Sequence, residues 1–184
     1  LYVCYDNEAY ENTGIQRSSS TPYGAATTTT PHNMFKSTHK KDIDAIMAAH
    51  NIPYLATASV SYPEDLVRKV EAAKSTKGLK FIHMLAPCPP GWKYSSEKTV
   101  MLGRLAVDTA VFPLYEVIDG KYIVKKIENK KSVEEYLKLQ GRFKHLFRPE
   151  NEWMLKKIQE DIDKDWELLQ KTAACFSGEE KVEE

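Results

Sequence analysis

Between Leu1 and Leu85, three short apolar runs alternate with two stretches of helical periodicity, and this alternation restricts the fold more than any other feature of the chain. Leu1–Tyr5, Tyr54–Ala58 and Leu79–Leu85 are too short for stable helices and carry β-favouring residues, so they read as strands, the first of them buried. Lys41–His50 reads as a helix, with Ile43, Ile46 and Met47 on one face and Asp42 in the first turn, where the helix dipole favours an acid. Pro63 opens a second helix, since proline is tolerated at the first helical position; Leu66, Val67, Val70 and Ala73 form its core stripe and Gly78 ends it. Strand, helix, strand, helix, strand at this spacing predicts an α/β fold, a parallel doubly wound sheet with right-handed crossovers.

Beyond Pro87 the pattern loosens. Glu97–Thr109 reads as a helix, and Ser132–Leu139 as a shorter one, capped by Ser132 with Glu135 at the capping-box position. Between them, Phe112–Ile118, Asp119-Gly120 and Lys121–Lys125 spell a hairpin, because Asp-Gly suits a type I′ turn. Pro149–Cys175 is a long amphipathic helix whose apolar face carries Met154, Ile158, Ile162, Trp166 and Leu169. The acidic end, Gly178 to Glu184, is expected to fray. The division that results is an α/β domain over residues 1–110 and an extension, hairpin plus long helix, over 111–184.

Composition narrows the function classes. Lys plus Arg and Asp plus Glu number 26 each, so no global field draws the chain to nucleic acid or to an anionic membrane. No apolar run approaches the length of a membrane span. Cys4, Cys88 and Cys175 are too few and too scattered for a disulfide framework, which favours a reducing, cytoplasmic setting.

The candidate chemistry lies where the first strand ends. Asp6-Asn7-Glu8-Ala9-Tyr10-Glu11-Asn12-Thr13-Gly14 gathers amides, carboxylates, a hydroxyl and a glycine at the carboxyl end of a strand, the place where doubly wound sheets bind ligands. An Asn side chain and a loop carbonyl suit part of a Mg²⁺ shell, and Gly14 can take the positive φ that lets exposed amides cradle phosphate. An ordinary polar turn is an equally open reading of these residues alone. Thr13–Asn33 is rich in Ser, Thr, Gly, Ala and Pro, as in a disordered linker, but Ile15, Arg17 and Tyr23 interrupt it and favour an ordered cofactor loop.

Two blocks carry a resemblance. Cys4-Tyr-Asp-Asn-Glu-Ala-Tyr10, followed by Asn12-Thr-Gly-Ile-Gln-Arg-Ser-Ser-Ser-Thr-Pro-Tyr-Gly-Ala25, is similar to the β subunits of 2-oxoacid:ferredoxin oxidoreductases, in particular those acting on pyruvate. Leu85-Ala-Pro-Cys-Pro-Pro-Gly-Trp92 resembles a second block of that family. The likeness runs over about the first 100 residues. It implies a thiamine-diphosphate-binding fold with Mg²⁺ held by the Asn7 side chain and the Ala9 backbone carbonyl. It places Asn12 beside the thiazolium and the oxoacid, groups Thr13 with the cofactor contacts, and makes Cys88 one ligand of a [4Fe–4S] cluster. Without the resemblance, Cys88 reads more readily as a structural thiol.

The implied activity is CoA-dependent oxidative decarboxylation of pyruvate to acetyl-CoA and CO₂, reversible, with electrons passed to ferredoxin and with partner subunits in the active enzyme. A sister enzyme for a branched-chain or aryl oxoacid and a non-catalytic assembly module are the alternatives. The family's Gly-Asp-Gly and Cys-x-x-Cys do not occur here, so the resemblance implies the C-terminal part of a β subunit whose remaining Mg²⁺ and cluster ligands lie upstream. Glu11 departs from the uncharged residue usual in the family and is expected to point away from an anionic substrate. Of the histidines, His83 reads as a satisfied core residue. The lysines at 125, 126, 130 and 131 read as a solvated face, with contact to acidic ferredoxin as the weaker alternative.

Overall fold

The computed structural model describes residues 1–176; the expected fraying of Gly178 to Glu184 lies outside the described residues. Strands β1 (Tyr2–Asp6), β2 (Tyr54–Ser59) and β3 (Lys80–Leu85) are parallel, β3 lying between the other two. Helix α1 (Ile43–Ala49) joins β1 to β2, and α2 (Pro63–Ser75) joins β2 to β3. Strand side chains alternate between faces, and the two helices sort with opposite alternations. Leu55 and Phe81 pack with Ile43 and Met47 of α1, whereas Ala56, Ala58, Ile82 and Met84 pack with Leu66 and Ala73 of α2. A chain that steps over β3 and then back must place its helices on opposite faces if both crossovers are right-handed. The sheet is therefore doubly wound.

The hairpin is part of the same sheet. β4 (Tyr115–Ile118) runs antiparallel beside β2, and β5 (Lys121–Val124) closes the far edge. Asp119 and Gly120 both take positive φ, 47° and 82°, as the type I′ turn requires. Helix α3 (Pro89–Trp92) follows β3, and a 3₁₀ turn at Ser96–Lys98 leads into α4 (Thr99–Asp108). Short α5 (Val133–Leu137) starts at Ser132, whose hydroxyl accepts the Glu134 N–H. A 3₁₀ segment, Gly141–Phe147, precedes Pro149–Asn151 and the long helix α6 (Glu152–Phe176). Met154 and Ile158 are buried, while Ile162, Trp166 and Leu169 are half-buried on the same face. One core cluster joins Leu85, Trp92 and Leu102 to Tyr136, Phe143 and Met154. Among the described residues no helix is long and apolar enough to cross a membrane.

Three expectations need correction. β1 is a strand but not a buried one: among the described residues it lies at the sheet edge, and Tyr2 and Tyr5 are 62% and 69% exposed. Continuous apolar runs mark parallel strands covered on both faces, and here β1 is covered on one face only, where Cys4 packs with Ile43 and Met47 of α1, while Tyr2, Val3 and Tyr5 stay exposed. On α2, Val67 and Val70 face solvent, and the inward stripe is Leu66, Lys69 and Ala73. Lys69 is buried because its ammonium finds the Thr57 carbonyl at 2.8 Å and Asp65 at 2.7 Å. On α1, Ile46 is exposed, and Asp42 caps the helix from outside by accepting the Ala45 N–H at 2.8 Å.

Candidate functional site

β1 and β3 are neighbours in register, with Asp6 opposite Leu85, so the two loops that carry the sequence motifs leave the sheet side by side. They knit together at once. The Trp92 indole donates to the Asn7 carbonyl at 2.8 Å. Glu11 turns inward against Cys88 and Gly91, so closely that a side chain at Gly91 would overlap its carboxylate.

The turn after β1 is a tightly specified structure. Asp6 Oδ1 accepts the Glu8 N–H at 2.9 Å and a hydrogen bond from the Ser20 hydroxyl. Glu8 is buried, with its backbone left-handed at φ 65°. Asn7 is half-buried, and its Oδ1 takes a long bond, 3.4 Å, from the Ala9 N–H. Among the described residues nothing donates to the Ala9 carbonyl. Tyr10 and Gln16 then pair as an antiparallel bridge around a loop in which Gly14 and Ile15 take positive φ. Asn12, exposed at the tip, makes no side-chain hydrogen bond among the described residues. The Thr13 hydroxyl is tied to Gln16 Oε1 at 2.8 Å.

The polar stretch that follows is ordered by its own side chains, against the linker reading. Thr28 reaches the Ile15 carbonyl at 2.9 Å, and Thr29 accepts the Arg17 N–H at 2.9 Å. The buried Lys36 ammonium donates to the carbonyls of Thr21 and His39, and burial lowers its pKa to about 8.

Electrostatics divide the site into two parts. On the sheet side, His83 bridges Asp44 and Asp6 at 2.9 Å to each. Burial opposes its charge, but the two carboxylates prevail and raise its pKa to about 9. Lys40 completes this group, 2.6 Å from Asp6 and 2.8 Å from Glu8, and those two acids raise its pKa against burial. Burial likewise opposes the charge on Asp6, yet hydrogen bonds from His83, Lys40 and Ser20 hold it far below the usual carboxylate range. The expectation of a satisfied core histidine is met. On the loop side, both Glu11 oxygens are buried, with no good hydrogen-bond partner. Burial raises its pKa, and burial also raises that of the Cys88 thiol, which a Gly91 backbone contact opposes.

Sequence reasoning missed Lys40 and Arg142 as members of the site, and it gave Glu8 no role beyond its place in the candidate stretch. Arg142 lies 2.6 Å from Glu8 across 134 positions of chain, and no periodicity announces such a pair. It also missed that His32 and His145 meet, Nδ1 to Nδ1, at 2.8 Å; burial lowers the His145 pKa to about 4. The basic stretches are partly spent within the chain: Lys130 pairs with Asp163, Lys131 with Asp108, and Lys125 lies over the Tyr62 ring. A cavity of about 720 Å³ opens between α1, the sheet and α6, with Lys40, Asp44 and His83 on its floor; Asn7, Asn12 and Cys88 do not line it. Among the described residues no three His, Cys, Asp or Glu side chains converge as a metal set.

Comparison with known proteins fits this geometry. Residues 1–84 match the family described as thiamine pyrophosphate enzyme, C-terminal TPP binding domain. The chain is 53% identical to pyruvate synthase subunit PorB of Methanocaldococcus jannaschii, over 92% of this chain and 57% of that protein. Over the length it shares with that protein, the chain is similar to the β subunits of the 2-oxoacid:ferredoxin oxidoreductases. It is also 50% identical to ketoisovalerate oxidoreductase subunit VorB of Pyrococcus abyssi, over 96% of this chain and 57% of that protein. A third relative, PorB of Methanothermobacter thermautotrophicus, is 52% identical over 89% of this chain and 57% of its own length. The chain thus spans somewhat over half the length of these relatives. The likeness extends well past the first 100 residues and into α6, further than the two sequence blocks suggest.

Proposed function

We propose that this chain forms part of the thiamine diphosphate site of an oxidoreductase that converts pyruvate and CoA to acetyl-CoA and CO₂. Two electrons pass one at a time to ferredoxin, and a proton is released. The observation that carries the reading is the meeting of the two loops at the carboxyl ends of adjacent parallel strands, Asn7 bonded to Trp92 and Glu11 against Cys88.

The residues present fit the groups this reading requires. The Asn7 amide oxygen, engaged only by a long bond, and the unengaged Ala9 carbonyl are hard oxygen donors suited to part of a Mg²⁺ shell that diphosphate and water complete. The exposed Asn12 amide offers a donor and an acceptor to orient an oxoacid, and the neighbouring Thr13 hydroxyl is tied to Gln16. Cys88 would supply one thiolate to a [4Fe–4S] cluster, whose other ligands would come from outside the described residues. Bound thiamine diphosphate would supply the nucleophilic carbon and the electron sink for decarboxylation; the chain's own contribution is to bind, orient and exclude water.

Substrate choice is the finer question, because relatives named for pyruvate and for ketoisovalerate are nearly equally similar to this chain. A branched-chain enzyme is therefore the second reading. Turnover of the assembled enzyme with pyruvate, 2-oxoisovalerate and an aryl oxoacid decides between them, and a preference for 2-oxoisovalerate overturns the first. Asn12→Ala should lower turnover at least about 100-fold while leaving the melting temperature unchanged, as expected when an orienting contact made in the transition state is removed. Unchanged turnover would exclude the loop from the site and favour an assembly module.

A further inference from the structure

Glu8 stands between the two residues assigned to Mg²⁺, in a backbone conformation that a residue with a Cβ adopts only where the surroundings over-determine it. Here they do so at every polar atom. The N–H donates to Asp6 Oδ1 at 2.9 Å, and the carbonyl accepts the Thr21 hydroxyl at 2.7 Å. Of the carboxylate oxygens, Oε1 meets Lys40 at 2.8 Å and Oε2 meets Arg142 at 2.6 Å.

Arg142 is fixed in turn. Its Nε donates to Gln140 Oε1 at 2.9 Å, and its guanidinium lies 4.0 Å over the Trp92 ring. The same Trp92 donates to the Asn7 carbonyl. Asn7, Glu8, Arg142 and Trp92 therefore form a closed ring of contacts around the turn. Stability alone does not call for this arrangement, since an apolar pair of similar volume commonly serves a buried site as well as an ion pair does. What an apolar pair lacks is direction: two cations on opposite oxygens dictate how the Glu8 carboxylate lies, and with it the flanking backbone.

We infer that Glu8, Lys40 and Arg142 are positioning residues that set the Asn7 amide oxygen and the Ala9 carbonyl in fixed relation before a cation arrives. This rests on the assignment of those two oxygens to Mg²⁺ under the proposed function. Outer partners that orient metal ligands typically change metal affinity by about 10–100-fold.

The test is a Mg²⁺ titration of the assembled enzyme at saturating thiamine diphosphate, followed by near-UV circular dichroism, with thermal unfolding of the cofactor-stripped enzyme measured in parallel. Glu8→Gln, which keeps the shape, and Lys40→Gln, whose side chain is about a quarter exposed, should each weaken Mg²⁺ binding about 10–100-fold. The loss should show in the Mg²⁺ concentration that half-saturates cofactor binding, read by the circular dichroism signal. Arg142→Lys, which keeps a cation facing Glu8, should recover most of the affinity that Arg142→Gln loses. Unchanged Mg²⁺ affinity in folded Glu8→Gln or Lys40→Gln enzyme overturns the inference, as does lost stability without lost affinity. A wild-type enzyme without Mg²⁺-dependent cofactor binding overturns the functional reading and the inference with it. A wild type that binds, alongside variants that bind equally, overturns the positioning role alone.

Discussion

Glu8 and Glu11 occupy the same turn, three positions apart, and the fold treats them in opposite ways. The Glu8 carboxylate is held between two cations, one on each oxygen. The Glu11 carboxylate is turned inward with neither oxygen well partnered, beside a thiol and a glycine. A buried charge is tolerable when it is paired and costly when it is not, so the two halves of the turn differ in what they can give up. The half at Asn7 and Ala9 is rigid by construction. The half at Cys88 carries a carboxylate that the isolated fold does not need.

Removing each carboxylate separates these roles most sharply. Glu8→Ala strands Arg142 and Lys40 beside a buried gap and should cost about 3–5 kcal/mol of stability, the usual loss when one partner of a buried ion pair is deleted. Glu11→Ala should cost less than about 1 kcal/mol, within the range of substitutions that break no paired network. Urea unfolding of both variants measures this, and equal losses would end the distinction between the halves.

The paired half also contains a titrating member. The pKa of His83 is raised to about 9 by Asp44 and Asp6, from an ordinary value near 6.5 in the unfolded chain. Because the fold favours the protonated imidazole, the stabilisation is complete below pH 6.5, declines as the pH rises, and is gone above pH 9. Its size is on the order of 3 kcal/mol. Unfolding midpoints measured from pH 6 to 8 should fall, and His83→Gln should flatten the slope; above pH 8 the buried Lys36, with its pKa lowered to about 8, pulls the other way. An identical slope in the variant would place the titration elsewhere.

Much of the sheet was legible because local rules and the global fold agree there. Apolar runs at βαβ spacing, Pro63 at a helix start and Asp119-Gly120 at a turn each report their own position. Edge and centre were not legible in the same way. The sequence of β1 reads like a central parallel strand, and only the pairing order makes it an edge. The site shows a similar split. Its two motifs lie within contiguous blocks, whereas the ties that shape the turn link residues 8, 40, 92 and 142, which meet only after folding. A buried Lys69 or Arg142 also runs against the expectation that cations stay outside, and only its partners explain it.

A smaller effect tests whether the Glu11 carboxylate is held in place. Gly91→Ala puts a methyl group where those oxygens lie. Overpacking at a buried position should cost about 1–2 kcal/mol, and the cost should largely disappear in a Glu11→Ala background, because the overlap is with that side chain. Additive losses in the double variant would show that the methyl group collides with something other than Glu11.

The mildest substitution gives the reverse sign. Glu11→Met replaces a buried, poorly partnered carboxylate with an unbranched thioether of similar reach, able to fill the space beside Cys88 and Gly91 without a desolvated charge. The expected gain is roughly 0.5–1 kcal/mol, reduced because Glu11 as a whole is only half-buried and part of its charge is screened. It should appear as a higher urea midpoint with an unchanged slope. The matching change at Glu8, Glu8→Met, should be destabilising, because there the charge has partners to lose. If both substitutions move stability in the same direction, burial alone governs the turn, and pairing has no part in setting the two halves apart.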